Sequence, residues 1–333
     1  MREHLAGQYT VQVRARHLDL IGDQHTGNNT ADAAGTVLAR ASGVNSPGRA
    51  LNDYDGDGKS DGCLYKSSLG RWYMEASGDR YGADLWVGDV GLGWAPVPGD
   101  YDGDGITDVA AYNRSSGQWL VKFSSSGLVD AGWFGGPEFT PAQCDFDGDA
   151  LTDPVVYREA DGYWAGLASS RQYALCDAFF GVTGGQSVTA DYDGDGLADP
   201  SVYNRSTGLW VISFSGSGYQ AETGTFGGSG YLPVTADYDG DGLADPAICD
   251  PSTAEWQVLL SRSLATQGVY TWWGVVAGNI NGTPVPADYD GDGLADPAVY
   301  HQDTGIWEAF FSTQGYQLVW GLFGSPDDTP VRE

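Results

Sequence analysis

Short apolar runs separated by Gly- and Pro-containing turns make up most of this chain. Within residues 233–260, apolar residues precede a polar loop, resume at Ala247 and Ile248, and then alternate with polar ones at Trp256, Val258 and Leu260. Alternation with a period of two predicts short strands that bury one face. Because no segment shows a convincing apolar period of 3.6 residues, the pattern predicts an all-β fold.

A polar motif, Asp-(Tyr/Phe)-Asp-Gly-Asp, recurs six times between the predicted strands. It begins at Asp53, Asp100, Asp145, Asp191, Asp237 and Asp288, at intervals of 47, 45, 46, 46 and 51 residues. A tryptophan follows 19 residues after each first Asp, at Trp72, Trp119, Trp164, Trp210, Trp256 and Trp307. Aromatic-Gly pairs such as Phe134–Gly135 form a third mark, whose Gly stands ten residues before the next loop. Three marks in constant phase define a structural repeat.

The repeat length indicates the architecture. About 46 residues accommodate four short strands and their turns, and four-stranded units of this length are typical of β-propeller blades. We therefore predict a single propeller domain over 1–333, with a divergent unit at 1–52 and six loop-containing repeats at 53–333. A last blade closed by N- and C-terminal strands would cover exposed sheet edges. This composite blade favours seven blades in all, with six or eight as alternatives.

Each loop places carboxylates at its first, third, fifth and ninth positions. Alternate side chains of a tight loop converge, and clustered carboxylates repel one another unless a cation lies between them. Oxygen ligands without nearby His or Cys favour Ca²⁺, with Mg²⁺ second. The carbonyl of the seventh residue would complete the shell. The predicted ligands, loop by loop, are Asp53, Asp55, Asp57, Lys59 and Asp61; Asp100, Asp102, Asp104, Ile106 and Asp108; Asp145, Asp147, Asp149, Leu151 and Asp153; Asp191, Asp193, Asp195, Leu197 and Asp199; Asp237, Asp239, Asp241, Leu243 and Asp245; and Asp288, Asp290, Asp292, Leu294 and Asp296.

An EF-hand is the main alternative for these loops, and the sequence argues against it. An EF-hand has a bidentate Glu at position 12 and flanking helices, whereas position 12 here is always apolar, as at Leu64 and Ile248. We therefore predict about six structural calcium sites in hairpin loops. The third loop has Ala150 where the other loops have Gly, and we expect it to be the weakest site.

The net charge limits the partners that the chain can have. Its formal value of −29 is unfavourable for binding nucleic acid or anionic lipid. The loops supply 6 × 4 = 24 of the 45 acidic residues, so six bound Ca²⁺ would change −29 to −17. No apolar run is long enough for a membrane span, so we expect neither a nucleic-acid partner nor membrane insertion.

The loops, the Phe-Gly marks and their spacing resemble FG-GAP/VCBS-type repeats, a family that includes the propellers of integrin α-subunits. The resemblance covers residues 53–333 and is weak over 1–52. It implies a seven-bladed calcium-binding propeller on a secreted or cell-surface protein, with the first, third, fifth and ninth Asp of each loop at the family's metal positions. The opening residues are not typical of a signal peptide, so any targeting segment is expected to be absent from this chain. The chain departs from the family pattern at Ala150 and in the N-terminal unit, which has no Asp loop.

Tryptophans outside the repeat position are the candidate ligand-binding residues. The six tryptophans of the repeat are predicted to fill the space between blades. Four others lie near the aromatic-Gly marks and are candidates for stacking on a glycan, with packing under loops as the alternative. These are Trp133, Trp272, Trp273 and Trp320.

The preferred function is an extracellular, calcium-stabilised binding module for a glycan or a surface protein. One alternative is a structural protein that self-associates into a coat or filament. Another is a polysaccharide lyase or hydrolase built on the propeller. The chain has no HExxH, Gly-x-Ser-x-Gly or P-loop pattern, so enzymatic activity is the less favoured hypothesis and no catalytic residue is assigned.

Overall fold

The computed structural model describes residues 14–16, 52–78, 84–86, 93–253, 255–261, 270–274, 282–326 and 328–331. These residues form six antiparallel sheets that each contain a four-stranded blade of a β-propeller. From innermost to outermost strand, blade 1 contains Thr329–Pro330, Gly62–Lys66, Arg71–Glu75 and Asp84–Trp86; blade 2 contains Trp94–Pro96, Val109–Asn113, Gln118–Lys122 and Val129–Trp133; blade 3 contains Thr140–Pro141, Val155–Arg158, Tyr163–Ala168 and Ala174–Phe179; blade 4 contains Gly185–Ser187, Ser201–Asn204, Leu209–Phe214 and Gln220–Thr225; blade 5 contains Leu232–Pro233, Ala247–Asp250, Glu255–Leu259 and Tyr270–Gly274; and blade 6 contains Thr283–Pro284, Ala298–His301, Ile306–Phe311 and Gln317–Leu322. Two short 3₁₀ turns, Ser169–Arg171 and Ser312–Gln314, lead into the outermost strands of blades 3 and 6.

The second strand of each blade lies in the core, between neighbouring blades. Its central residues are consecutive and apolar and are buried on both faces, as Val202 and Tyr203 are in blade 4. A continuous apolar run is the pattern expected of a strand covered on both sides. Each polar Asp loop directly precedes this buried second strand, and in blades 2 to 6 it connects the innermost strand to it, so the loops lie together at one end of the ring.

The repeat tryptophans pack in the core as predicted. Five are at most 6% exposed, and Trp307 is half-buried against the cluster that joins blades 6 and 1. Trp119 stacks on Tyr112 of its own blade with ring centroids 4.9 Å apart. Its indole N–H donates to the carbonyl of Phe134, 3.0 Å away. This hydrogen bond explains why the tryptophan and the aromatic-Gly mark stand at a fixed separation in the sequence.

The ring closes between blades 6 and 1, and this corrects the favoured blade number. Thr329 and Pro330 pair with Tyr65 and Leu64, so the C-terminal strand is the innermost strand of blade 1. The described residues thus form six blades instead of seven. The C-terminal strand does take part in closure, but its partners come from residues 62–86 and not from 1–52.

The N-terminal unit has a different role in the part that the structure describes. Strand Arg14–Arg16 pairs antiparallel with the outermost strand of blade 3, opposite Leu175 to Asp177, as a fifth strand. The remainder of 1–52, apart from Asn52, lies outside the described residues, so its assignment to the same domain stays a prediction. Among the described residues, no helix has the length and apolar character needed to cross a membrane.

Candidate metal centres

Carboxylates from the predicted positions converge within the Asp loops. In the second to fifth loops, one oxygen from each of the first, third and ninth Asp lies within 4.8 Å of the other two, as for Asp191, Asp193 and Asp199. In the first loop the converging residues are Asp53, Asp55 and Asp57. Three carboxylates this close supply the hard oxygen donors that Ca²⁺ and Mg²⁺ prefer.

The first Asp of each loop organises the turn through backbone hydrogen bonds. In the fourth loop, Asp191 Oδ1 accepts the N–H of Gly194 at 2.6 Å and Asp191 Oδ2 accepts that of Gly196 at 3.0 Å. The same pair of bonds recurs in all six loops. Both glycines have positive φ, +80° and +88°, which explains the preference for Gly at positions four and six.

The ninth Asp is the most deeply buried carboxylate of each loop. In the fourth loop, Asp199 is fully buried and accepts the backbone N–H of Ser215 at 2.7 Å and that of Tyr192 at 2.8 Å. The pKa of Asp199 is raised to about 6, mainly by burial and to a lesser extent by the charge of Asp193, against the lowering effect of the hydrogen-bond donors. Burial likewise raises the pKa of Asp153 to about 8. A cation beside these oxygens would compensate the buried negative charge.

In the third and sixth loops, one oxygen of the third Asp has no hydrogen-bond partner among the described residues and is available for a ligand. Asp147 Oδ2 accepts the N–H of Ser170 at 3.1 Å, whereas its Oδ1 is buried and has no hydrogen-bond partner within the described residues. Asp290 shows the same division, with Oδ2 bonded to Thr313 and Oδ1 unpartnered in the described part of the chain. A buried carboxylate oxygen is costly to leave unpaired. The donor set and these oxygens therefore fit a bound divalent cation.

A serine that the sequence reasoning missed holds the fifth Asp. In the fourth loop, the Ser215 hydroxyl donates to both oxygens of Asp195 at 2.9 Å, while its backbone N–H bonds to Asp199. An equivalent serine stands 24 residues after the first Asp in every repeat. These serines are Ser77, Ser124, Ser169, Ser215, Ser261 and Ser312. The constant offset of 24 residues was the available signal.

Neighbouring loops are joined in a closed ring of hydrogen bonds. The N–H of the eighth residue of each loop donates to the carbonyl of the first Asp in the preceding loop, as Thr107 does to Asp53 at 2.7 Å. The last of these bonds runs from Ser60 in the first loop to Asp288 in the sixth, also at 2.7 Å. The six loops therefore share one backbone network that encircles the propeller.

The seventh residue of each loop packs its side chain against the preceding loop. A Cβ added at Gly194 would overlap the Leu243 side chain, and one added at Gly291 would lie 3.0 Å from the Lys59 side chain. The seventh N–H donates to the fifth Asp, as Leu197 does to Asp195 at 2.9 Å. Metal coordination by the seventh carbonyls stays a prediction.

Ala150 gives the third loop a strained backbone, whereas the weaker calcium binding expected of this loop stays a prediction. Ala150 has φ = +87° and still donates its N–H to Asp145 at 3.0 Å. It therefore adopts the conformation of its glycine counterparts at the cost of left-handed backbone strain. The N–H of Phe146 also lies 3.2 Å from Asp153, longer than the 2.8 Å seen for Tyr192 and Asp199.

The two candidate ligand-binding tryptophans whose side chains the structure describes lie on different blades. Trp133 is 53% exposed on the outermost strand of blade 2, and Trp320 is 67% exposed on that of blade 6, with blade 1 between them. Trp272 and Trp273 belong to the outermost strand of blade 5, but their side chains lie outside the described residues.

Comparison with known proteins supports the fold. No family model and no curated protein matches the sequence. A solved streptogramin B lyase is similar in structure, with a TM-score of 0.55 and 8% identity, over 85% of each chain. An Agrocybe aegerita lectin, described as recognising non-reducing terminal N-acetylglucosamine, is similar with a TM-score of 0.50 and 11% identity, over 81% of this chain and 96% of the lectin. At these identities the similarity shows a shared β-propeller fold and nothing finer.

Proposed function

We propose that this protein is a calcium-stabilised β-propeller that acts as an extracellular binding module for glycans or surface proteins. The observation that carries the calcium assignment is the convergence of three carboxylates within 4.8 Å in one Asp loop after another. Calcium fits this donor set because its ligands are oxygens and its coordination geometry is flexible. An extracellular location suits the proposal because free calcium is abundant there, which is compatible with weak structural sites.

The binding role rests on architecture and on the character of the exposed surface. Catalytic patterns are missing from the sequence, and the loops are built as structural elements around the ring. The lectin similarity shows that a fold of this kind can present a sugar-binding surface. The exposed Trp133 and Trp320 offer flat apolar faces of the kind that pack on sugar rings.

Calorimetric titration of the chelator-treated protein tests the calcium assignment. We expect about six Ca²⁺ per chain, weaker Mg²⁺ binding, and a large rise in melting temperature on adding Ca²⁺. The double variant Asp191→Asn/Asp193→Asn should remove one site. Asp130→Asn, which changes an exposed Asp outside the loops, should remove none. Unchanged melting in Ca²⁺ and in EDTA would contradict the assignment.

A glycan array probed with and without EDTA tests the binding role. We expect calcium-dependent binding to a defined glycan class, because calcium fixes the loops that support the ring. The same oligosaccharides, incubated with the protein and sized afterwards, test the lyase or hydrolase alternative.

Self-association is a second candidate because one outermost strand exposes an apolar row. Leu318, Trp320 and Leu322 alternate along the last strand of blade 6 and are 45%, 67% and 70% exposed. Exposed apolar rows on edge strands favour association between molecules. Light scattering at rising protein concentration would detect it, and Leu322→Lys should then reduce the average mass.

A further inference from the structure

A polar cleft lies at the end of the propeller opposite the Asp loops, where blades 3, 4 and 5 meet. Its volume is about 600 Å³, within the range of small-molecule sites. It is bordered by the hairpins after the second strands of blades 3 and 4, by the innermost strand of blade 4, and by the connection that leads into blade 5. Side chains that line it include Tyr157, Glu159, Gln186, Ser187 and Arg205.

Tyr157, one of the residues that line the cleft, has a buried hydroxyl without a hydrogen-bond partner in the described part of the chain. Tyr157 is 1% exposed, and its hydroxyl forms no hydrogen bond within the described residues. The equivalent hydroxyl in blade 2, on Tyr112, accepts the N–H of Gly136 at 2.8 Å. An unpaired buried hydroxyl is destabilising unless a ligand or a water molecule satisfies it. Tyr157 therefore supplies an unsatisfied polar group at the cleft wall.

The repeat pattern changes at the same place. In five blades the innermost strand pairs a proline with the buried second strand, namely Pro96, Pro141, Pro233, Pro284 and Pro330. Blade 4 has Ser187 at this position, opposite Val202. Serine adds a backbone N–H and a hydroxyl that proline lacks. Gly185 is also constrained, because a Cβ there would lie 2.9 Å from the carbonyl oxygen of Val182. Ser187 therefore adds polar atoms to the lining of the cleft, and its hydroxyl also bonds to that of Thr189 at 3.0 Å.

Two opposite charges face this cleft without ion-pair partners. Neither Glu159 nor Arg205 forms an ion pair or a side-chain hydrogen bond in the described part of the chain. The neighbouring Arg158 bonds instead to Asp161, at 2.7 Å. The Glu159 carboxylate lies beside Gly184, 3.9 Å from where a Cβ would stand. One carboxylate and one guanidinium give the lining a net charge of zero.

We propose that this cleft binds the terminal part of an uncharged carbohydrate, an inference that rests on the proposed glycan-binding function. A carboxylate and a guanidinium each form two hydrogen bonds with adjacent hydroxyls. Gln186 and the serine hydroxyls add donors and acceptors, and Tyr157 gains the partner that it lacks. Because the two exposed charges cancel, the lining favours neither an anionic nor a cationic ligand. The hydroxyls of a neutral polyol can accept from Arg205 and donate to Glu159.

The test compares the wild type with two pocket variants on neutral, acidic and amino-acid ligands. We expect neutral oligosaccharides to bind, and Arg205→Ala and Tyr157→Phe each to weaken that binding about tenfold. Tyr157→Phe removes an unpaired hydroxyl, so its melting temperature should not fall. The matched controls are Arg114→Ala, which changes the corresponding hairpin arginine of blade 2, and Tyr112→Phe; both should bind as the wild type does.

The outcomes separate this inference from the proposed function. Glycan binding that survives both pocket variants overturns the cleft assignment and leaves the glycan-binding function standing. Binding of acidic sugars or free amino acids only, lost in the pocket variants, overturns the uncharged ligand class. If no glycan binds the wild type in Ca²⁺, the proposed glycan-binding function fails, and the inference fails with it.

Discussion

Ala150 is the residue of the Asp loops whose backbone is most clearly strained. Its φ of +87° matches that of the glycine counterpart Gly105, at +93°. We expect Ala150→Gly to raise the free energy of unfolding by about 1 kcal/mol, because Gly adopts this conformation without a Cβ penalty. Gly105→Ala should lower it by a similar amount, since a Cβ there contacts nothing within 4 Å and only backbone strain is added. Urea denaturation measures both, and equal stabilities would contradict the strain.

The serine 24 residues after each first Asp is expected to stabilise its loop. Ser124 donates its hydroxyl to Asp104 at 2.8 Å, so Ser124→Ala loses one hydrogen bond to a charged acceptor. We expect unfolding in EDTA to become easier by about 1 kcal/mol. Ser116→Ala is the control, since the Ser116 hydroxyl only accepts a long, 3.3 Å bond from Gln118. Equal losses from the two variants would show that the Asp104 bond has no special contribution.

The strands and their core residues were largely predictable from the sequence, and the blade number was not. The second strand after each Asp loop is a continuous apolar run, and the repeat Trp has a constant offset, so both follow from period and spacing. The prediction of seven blades is wrong because residues 1–52, which are about one repeat long, do not supply the strands of a further blade in the described residues. The chain ends where another Asp loop would begin, and in space the first loop, at Asp53, takes that place after Thr329–Pro330.

The polar cleft could not be predicted from the repeat pattern of the sequence. Regular spacing identifies residues that repeat, whereas the cleft depends on residues that depart from the repeat. Tyr157 lacks the hydrogen bond that its counterpart Tyr112 forms, and Ser187 replaces the proline of the other blades. The replacement of proline by Ser187 is present in the sequence. Its meaning depends on knowing that Glu159 and Arg205 border the same space, which is a tertiary relation.

The C-terminal strand joins the last blade to the first, and one matched pair of variants tests its contribution. Val331 is 4% exposed, and its N–H donates to the carbonyl of Cys63 at 2.9 Å. Val331→Ala should lower the free energy of unfolding by about 2 kcal/mol through lost burial and a residual cavity. Val129→Ala removes the same atoms from a valine that is 48% exposed and should change little. Equal effects in thermal melts would contradict closure by this strand.

If the loops bind calcium as proposed, the stability of the whole molecule should depend on pH and calcium together. Burial raises the pKa of the ninth-position carboxyls, to about 7 for Asp108, Asp245 and Asp296. In the unfolded chain these carboxyls titrate near their ordinary value of about 4. Without a cation, folding therefore favours the protonated form. The corresponding stabilisation is complete below about pH 4 and is lost as the pH rises through 6 to 8.

The proposed calcium would reverse this dependence, because it would compete with protons for the same oxygens. We expect the EDTA-treated protein to melt at a higher temperature at about pH 5 than at about pH 8, and the rise caused by Ca²⁺ to be larger at about pH 8. Melting curves at several pH values, with EDTA and with excess Ca²⁺, measure both slopes. Parallel slopes in the two series would mean that the buried carboxylates of the six loops do not bind the cation. Because each loop bonds to the next around the ring, as Ser60 does to Asp288, neutralising one loop also supports its neighbours, and the melts should remain single transitions.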